Sequence, residues 1–423
     1  MTTASWSPRA GANLVARTVP LADPGPLLAL LPRDGALAWV RRGEGIVGWG
    51  SAATVQTSGE DRFAAAGAAW AELTRHAAVR DEVGLPGTGP VAFGSFAFSP
   101  HSPAGGVLVV PEVVVGCRDG FWWVTTIAAG AEIPGSRTPR RRRPPQSHGQ
   151  VTYADGARSA PDWERVVAAA IARIGRGEVE KVVLARDLEA LAERPLDPRR
   201  LLDRLATRYP GCWTFSVDGL VGATPEMLVR REKGLVTSRV LAGTIRRTGD
   251  DGRDLALAAR LARSSKDLEE HEYAVRSVAQ ALAPHCATTN VPEAPFVLHL
   301  ANVMHLATDV TGVLADASSS LELAAALHPS AAVCGTPTTS AAALIEELEG
   351  MDRDRYAGPV GWMDAQGDGE WGIALRCARL DPADRRRARL FAGCGIVAGS
   401  DPEAELGESD AKLVPMREAL APD

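Results

Sequence analysis

The chain has 423 residues, of which 45% are apolar and 23% charged, so it can bury a large core and is not expected to be disordered. Its formal net charge of −6 argues against a general nucleic-acid binder, which usually carries a basic face. The sequence contains no apolar run of about 18 residues and no signal-peptide pattern, so we expect a cytoplasmic protein that does not contact a membrane.

The first part of the chain is predicted to form mostly β-structure. Short apolar runs bounded by turn residues predict strands at 91–98, 106–117 and 121–128, and one helix is expected at 60–77. A Pro- and Arg-rich segment, 134–150, then has no apolar periodicity and predicts a solvated loop. Its run Arg140 to Arg143 can contact an anionic partner, although so short a run is more typical of a plain surface loop.

Helices and strands alternate after this loop. Apolar residues at helical spacing predict a helix at 162–175 with Asp162 as its N-cap, ended by Gly177, and a buried strand from Lys181. Further helices are predicted at 251–263, 265–283, 320–327, 338–350 and 403–420. Further strands are predicted at 212–217, 227–231, 235–240, 359–364, 371–379 and 388–397. The pattern predicts an α+β fold of layered, largely antiparallel β-sheets flanked by helices.

Two side chains stand out for acid–base chemistry. Lys181 begins an otherwise apolar strand, where a lysine either extends to solvent or is desolvated and acts as a base. When Lys181 is considered by itself, extension of its side chain to solvent is the better interpretation. Glu226 lies in the turn of Gly-Ala-Thr-Pro-Glu-Met-Leu, and turn glutamates are usually just solvated.

Two helices each carry an i,i+3 pair of acids. Asp267 and Glu270 share one helical face, and Glu405 and Glu408 repeat the arrangement far along the chain. Two such faces can meet around a hard cation, since Mg²⁺ prefers a few carboxylates together with waters. Each pair separately is weak evidence, because such pairs are common on exposed helices. The six scattered cysteines form no CxxC pair, so reduced thiols are expected and neither zinc nor a disulfide framework.

Two glycine segments follow predicted strands. Gly243 precedes Thr244, and Gly393 and Gly395 form a Gly-x-Gly. Backbone amides at such positions can approach a carboxylate closely because no Cβ intervenes. The Gly-x-Gly is no dinucleotide fingerprint, since the third glycine is missing.

Together and in this order, these segments resemble the chorismate-utilising enzymes. The resemblance covers roughly residues 160–420. It rests on the motifs EKVVLAR, GATPEML, LAGT, SSKDLEEH, VMHLATDVTG, HPSAAVCGTP, YAGPVGW, IALRCARL and AGCGIVAGSDPEAELGESDAKL. It implies three parts: 1–133 as a variable N-terminal portion that completes the sheets, 134–150 as the Pro/Arg-rich loop, and 151–423 as the chorismate-binding catalytic region.

The resemblance also implies a role for each matching side chain. Lys181 looks like the base that activates water, and Glu226 like the acid that protonates the departing hydroxyl. Glu270 and Glu408 look like Mg²⁺ ligands. Asp267, which stands where several relatives have Glu, and Glu405 look like nearby or water-mediated partners. The implied substrate contacts are Arg376, Lys412, Tyr356 and the amides of Gly393 and Gly395 for the side-chain carboxylate, with Gly243, Thr244, His305 and Ala332 elsewhere in the pocket.

The resemblance implies an isomerase that converts chorismate to isochorismate with Mg²⁺ and water. Ammonia-using relatives carry Phe-Pro-x-x-Thr-x-Ser-Gly where this chain has His328-Pro-Ser-Ala-Ala332-Val-Cys-Gly, so no glutaminase subunit is expected, and the protein is expected to be a monomer. Salicylate-forming relatives carry Thr in place of Ala332, which makes salicylate formation the alternative. A non-catalytic chorismate-binding protein is a second alternative, and both a menaquinone and a siderophore pathway remain open for the product.

Overall fold

The computed structural model describes residues 5–7, 13–300 and 303–422, without the side chains of residues 5–7, 266 and 270. This part of the chain contains eight α-helices, 24 strands and two short 3-10 helices, Leu27–Leu30 and Ala283–His285. The α-helices are α1 (Arg62–Arg75), α2 (Ala160–Gly175), α3 (Pro198–Arg208), α4 (Asp251–Leu261), α5 (Ser265–Leu282), α6 (Ser320–Ala326), α7 (Thr338–Glu349) and α8 (Pro402–Ala419). None of these helices is both long enough and apolar enough to cross a bilayer.

The first half of the chain supplies the strands β1 (Ser5–Ser7), β2 (Leu14–Pro20), β3 (Leu37–Arg41), β4 (Glu44–Trp49), β5 (Ala53–Thr57), β6 (Ala78–Asp81), β7 (Val91–Phe96), β8 (Gly106–Val110), β9 (Val113–Arg118), β10 (Phe121–Ala129), β11 (Val151–Asp155) and β12 (Lys181–Ala192). The second half supplies β13 (Trp213–Val217), β14 (Leu220–Thr224), β15 (Met227–Glu232), β16 (Leu235–Arg246), β17 (Cys286–Asn290), β18 (Phe296–His299), β19 (Val303–Leu314), β20 (Gly335–Thr336), β21 (Pro359–Asp364), β22 (Gly369–Ile373), β23 (Cys377–Leu380) and β24 (Arg387–Ile396).

These strands form two large sheets. Across the described residues, one sheet has 11 strands in the order β1-β5-β8-β7-β21-β22-β15-β16-β19-β17, with β18 also paired to β19. The other has 13 strands in the order β11-β12-β24-β23-β14-β13-β3-β4-β9-β10-β2-β6, with β20 also paired to β12. The neighbouring strands described run antiparallel apart from β2 and β6, which are parallel. The predicted α+β class with largely antiparallel sheets is confirmed.

One apolar core lies between the two sheets. Trp39 of β3 and Trp371 of β22 belong to different sheets, are both nearly inaccessible to solvent, and lie in the same cluster of buried residues. The Trp39 indole N–H donates to Glu370 across the sheets at 2.8 Å. Burying each such side chain stabilises the fold by roughly 1.5–3 kcal/mol. Strands from before residue 134 lie in both sheets, and the division of the chain into three parts remains a prediction.

A second apolar cluster covers the outer face of the 13-stranded sheet. Leu201 and Leu205 of α3 and Leu413 and Met416 of α8 are buried there against the strands. This packing holds α8 beside β12 and β24, which positions the polar face of α8 at the end of those strands. All six cysteines are free thiols, as expected.

Several predicted boundaries were wrong for local reasons. Ser159, not Asp162, caps α2, because the Ser159 hydroxyl accepts the Asp162 backbone N–H. Pro111 has no N–H to donate to a sheet and separates β8 from β9, where one strand was expected at 106–117. Arg376 has a φ of +48°, so the strand expected at 371–379 is broken into β22 and β23.

One helix was missed in the sequence, and the two glycine segments were placed wrongly. Helix α3, Pro198–Arg208, was not anticipated, although Asp197 caps it and Leu201, Leu202 and Leu205 give it an apolar face. The glycine segments were expected to follow strands, but they lie inside strands. Gly243 sits at a bulge in β16 with a φ of +74°, and β24 runs through residues 393–395.

Candidate active site

One cavity of about 820 Å³ opens where β12, β24, the β14–β15 turn, β16, α5 and α8 meet. It brings together predicted site residues that are spread over more than 230 positions of the sequence. Those that line it are Lys181, Glu226, Gly243, Thr244, Asp267, His305, Ala332, Tyr356, Arg376, Gly393, Gly395, Glu405, Glu408 and Lys412. The side chain of Glu270, the remaining predicted residue, lies outside the described residues.

Lys181 enters the cavity from the first position of β12. Gly395 lies beneath its side chain, because a Cβ built on Gly395 would come 2.9 Å from Lys181 Cε and 3.5 Å from Nζ. A separation under about 3 Å is closer than carbon atoms pack, so glycine at 395 leaves the space that the lysine stem occupies. The lysine is therefore directed by packing into the cavity and is only partly exposed.

Glu226 lies in the turn between β14 and β15. Its backbone N–H donates to Thr224 Oγ1 at 3.2 Å, and its carbonyl accepts from the Ile373 backbone at 3.1 Å, so the turn is tied at both ends. The residue is only 9% exposed. Burial raises the pKa of the carboxyl from its usual 4.5 to about 7, against an opposing effect of Lys181, Arg376 and Lys412. A large share of Glu226 therefore keeps its proton near neutral pH.

Glu405 and Glu408 form an acidic group on the first turns of α8. Their carboxylate oxygens and the Cys394 thiol lie within 4.8 Å of one another. Ser400 Oγ donates to Glu405 at 2.8 Å, and the Lys412 ammonium pairs with Glu408 at 2.7 Å. Burial raises the pKa of Glu405. A cation at this group would offset the burial of the carboxylates.

Asp267 brings a further acid from α5. It lies in the first turn of that helix, where Ser264 caps the backbone N–H of Asp267 at 3.3 Å and the helix terminus favours a negative charge. Its Cβ would be 3.2 Å from a Cβ built on Gly243, which places it against the bulge of β16.

These donors fit a hard cation better than a soft one. Carboxylates dominate this group, and the Cys394 thiol donates to the Glu405 backbone carbonyl at 3.3 Å. Oxygen ligands with room for waters are what Mg²⁺ requires, whereas zinc sites use thiolates and imidazoles.

The amides of Gly393 and Gly395 face away from β12. Gly395 is paired with Val183 and Gly393 with Ala185, and the amides of Val183 and Ala185 donate to groups on the side away from β24. In an antiparallel ladder, both members of such a pair point their backbone groups outward. The pairing of β24 with β23 ends at residue 390, so the outward groups of 391–396 lie beyond that neighbour. The Gly393 carbonyl accepts from Lys412 Nζ at 2.8 Å, which agrees with this orientation.

Thr244 and His305 are cross-strand neighbours on β16 and β19. Thr244 Oγ1 and His305 Nδ1 are hydrogen-bonded at 2.9 Å. Burial, with smaller effects of Arg376 and Lys412, lowers the pKa of His305 to about 3, so the imidazole is neutral. Its Nε2 is buried and has no hydrogen-bond partner among the described residues. A polar ligand atom in the cavity would satisfy it.

The opposite wall carries Tyr356 and Arg376. The Tyr356 ring is 5% exposed and stacks on Phe391, with centroids 5.2 Å apart. Its hydroxyl lies 3.1 Å from a Cβ built on Gly393, so it reaches the Gly-x-Gly segment. Arg376 occupies the break between β22 and β23. Lys181, Arg376 and Lys412 bring positive charge into the cavity, and acids of α5 and α8 bring negative charge, with Lys412 and Glu408 paired on α8 itself.

Sequence reasoning missed some cavity residues. Phe391 and Cys394 line or adjoin the cavity but carry no chemical pattern of their own in the sequence. Ser400 had a detectable signal, because Ser400-Asp401 stands directly before the first turn of α8, where helix caps are expected.

Comparisons with known proteins agree on one family. The family described as "Chorismate binding enzyme" matches residues 37–421 of this chain. The isochorismate synthase DhbC of Bacillus subtilis is 41% identical over 66% of this chain and 72% of its own length. The salicylate biosynthesis isochorismate synthase of Pseudomonas aeruginosa is 35% identical over 91% of this chain and 84% of its own. Among solved structures, a putative 2,3-dihydroxybenzoate-specific isochorismate synthase, DhbC from Bacillus anthracis, superimposes with a TM-score of 0.76, at 32% identity, over 93% of this chain and 98% of that one.

Proposed function

The chain belongs to the chorismate-binding enzymes, and from this premise we propose that it is an isochorismate synthase, an isomerase that converts chorismate to isochorismate. The observation that carries the proposal is the pairing of Lys181 and Glu226 in one cavity. One supplies an amine, and the other a buried carboxyl whose pKa of about 7 lets it keep a proton. The names of the similar proteins support the same activity.

The two side chains have complementary tasks in this reaction. Water is a poor nucleophile, so the Lys181 amine removes a proton as the water oxygen bonds to one ring carbon. Hydroxide is a poor leaving group, so Glu226 gives its proton to the hydroxyl on another ring carbon, which departs as water while the double bond shifts. Substrate and product are isomers, so electrons and atoms balance without a redox cofactor.

The basic residues of the cavity suit the side-chain carboxylate of chorismate. We assign Arg376 and Lys412 as its charge partners, with the Tyr356 hydroxyl and the outward amides of Gly393 and Gly395 as hydrogen-bond donors. Charge-assisted bonds of this kind are stronger than neutral ones and fix the orientation of the anion.

The ring lies beside Thr244 and His305 in this proposal. The His305 Nε2 would accept from or donate to a ring substituent, and Thr244 holds the imidazole through Nδ1. Gly243 lets the chain bulge without a side chain that would press on Asp267.

The acidic residues of α5 and α8 suit the ring carboxylate only if a cation is bound there. We propose that Glu270 and Glu408 hold Mg²⁺, with Asp267 and Glu405 as nearby or water-mediated partners. The ion would neutralise the ring carboxylate and draw negative charge toward it. Glu405 and Glu408 are within reach of one cation, which supports this assignment.

Salicylate formation is the second candidate. One similar protein is named for salicylate biosynthesis, and isochorismate becomes salicylate by losing pyruvate. Ala332 argues for the synthase, because this small residue contributes no hydroxyl to the cavity wall where salicylate-forming relatives carry Thr. The proposed reaction uses water rather than ammonia, so the enzyme needs no glutaminase subunit, and we expect a cytoplasmic monomer.

The test is incubation of the purified protein with chorismate and Mg²⁺, followed by chromatography of the products. Isochorismate as the main product supports the proposal. Salicylate together with pyruvate would assign the second candidate, and unchanged chorismate despite measurable binding would make the protein a non-catalytic binder.

A further inference from the structure

A second, much smaller cavity reaches Glu226 from the side. This side cavity lies between β15 and β16, helix α5 and the segment 330–332, and it offers about 20 Å³ to water. One water needs roughly 10–15 Å³ by the same measure, so the side cavity has room for one. Glu226 and Ser277, an exposed residue of α5, both line it. The side cavity therefore lies between Glu226 and an exposed part of α5, next to the large cavity with which it shares Glu226, Ala331 and Ala332.

Ser330, which lines this space, carries an unsatisfied hydroxyl. Its Oγ is buried and has no hydrogen-bond partner among the described residues, although its backbone carbonyl accepts from Val333 and Cys334. Buried hydroxyls in folded proteins are nearly always hydrogen-bonded to protein or to ordered water. A water in the side cavity would satisfy it.

The neighbouring polar groups are already engaged. Ser238 Oγ donates to the Leu228 carbonyl at 2.6 Å, and the Arg239 guanidinium is held by both oxygens of Asp309 at 2.7 Å. Ser238 keeps only acceptor capacity for a water. Ser330, Ser277 and Glu226 are thus the lining groups that can both donate and accept, and of the two serines Ser330 is the one with a buried, unsatisfied hydroxyl.

The proposed reaction leaves a proton imbalance that the enzyme must correct. Each turnover moves the Glu226 proton to the departing hydroxyl and a proton from the attacking water to Lys181. The site is then left with a carboxylate and an ammonium. Lys181 must release one proton to solvent and Glu226 must gain one before the next turnover. At saturating substrate the large cavity is refilled, which closes that route to Glu226.

We propose that Ser330 positions a water in the side cavity and that this water returns a proton from solvent to Glu226 after each turnover. The inference rests on the proposed function. The water passes one of its protons to the carboxylate and takes another from solvent beside the exposed Ser277, so no co-reactant is needed. Ser330 acts through the water and is a positioning residue.

The charges around Glu226 are compatible with this route. Lys181, Arg376 and Lys412 face the carboxyl from the large cavity, and on the side-cavity wall Arg239 is neutralised by Asp309. Burial raises the pKa of Glu226 and the three cations lower it, which leaves it at about 7. Gain and loss of the proton are therefore nearly equal in free energy at neutral pH. The speed of the transfer then depends on the path.

The test compares Ser330→Ala with wild type in kcat, KM and the solvent isotope effect. A reset step that follows product release limits kcat but not kcat/KM. We expect Ser330→Ala to lower kcat and KM in parallel by about tenfold and to raise the isotope effect on kcat, with kcat/KM within about twofold of wild type. Ser330→Thr keeps the hydroxyl and should retain at least half of kcat.

The matched control is Thr126→Val in β10, which removes another buried hydroxyl without a partner among the described residues, remote from both cavities. It should leave all three quantities unchanged. A folded Ser330→Ala with wild-type kcat and isotope effect would overturn the inference. So would a fall in kcat/KM equal to the fall in kcat, or equal damage by Ala and Thr, because each indicates packing. Failure of wild type to convert chorismate would instead refute the proposed function and remove the premise.

Discussion

Replacing Glu226 by Gln should make the protein more stable at alkaline pH and inactive. The carboxyl is 9% exposed, and burial raises its pKa from 4.5 to about 7. Its folded-state pKa lies above the unfolded value, so the folded state binds this proton more tightly. The resulting contribution is fully present below pH 4.5 and is lost as pH rises through about 7.

The shift sets the size of the effect. A difference of this size between the two pKa values corresponds to about 3 kcal/mol, which wild type loses on going from pH 4.5 to pH 8. The neutral amide of Gln has nearly the same shape and bears no charge to bury. For a chain of this length, we expect Glu226→Gln to melt about 3–4 °C above wild type at pH 8 and with little difference at pH 4.5.

Catalysis should change in the opposite direction. An amide cannot donate an acidic proton, so kcat should fall by about 10²–10⁴. In wild type, the fraction of Glu226 that carries a proton to donate should fall about tenfold per pH unit above pH 7. The effect on stability and the effect on turnover both depend on the same Glu226 carboxyl.

The assays are thermal melts at pH 4.5 and pH 8 and chorismate turnover across that range. Glu346→Gln, an exposed glutamate on α7, serves as the control and should match wild type in both. Equal melting temperatures of wild type and Glu226→Gln at both pH values would refute the claim that burial raises this pKa. Retained turnover in Glu226→Gln would refute its role as the acid.

Three further predictions test the remaining roles. Lys181→Ala should lower kcat by about 10²–10⁴ while the fold survives, and near-wild-type turnover would remove Lys181 as the base. EDTA should abolish activity and Mg²⁺ restore it, with Glu270→Ala and Glu408→Ala each needing far more Mg²⁺ for half-maximal rate; rescue by Zn²⁺ alone would contradict the oxygen-ligand site. Ala332→Thr should release measurable pyruvate beside isochorismate, at a cost of roughly 1–3 kcal/mol in stability if the new hydroxyl finds no partner. Salicylate as the main wild-type product would contradict this reading of Ala332.

Much of the fold was readable from local patterns. Helices α4 to α8 were predicted to within a few residues, and all of them except α7 begin at a residue whose side chain caps the helix. The strands at 91–98, 359–364 and 388–397 were also found, since buried strands are continuous apolar runs. Local patterns failed at Arg376, whose positive φ depends on the loop between β22 and β23 and leaves no mark on the apolar run.

The sequence by itself determined which residue types were present, in which order, and therefore the family and the membership of the cavity. Only the tertiary structure decided their chemical state. The pKa of Glu226 depends on the desolvation that distant strands impose, and His305 is neutral for the same reason. The outward direction of the Gly393 and Gly395 amides depends on the register of β24 against β12. The hydroxyl of Ser330 is unsatisfied because, among the described residues, no polar group lies within hydrogen-bond distance of it. Burial, strand register and the hydrogen bonding of buried polar groups depend on contacts between residues far apart in the chain. No local pattern of residues therefore encodes them.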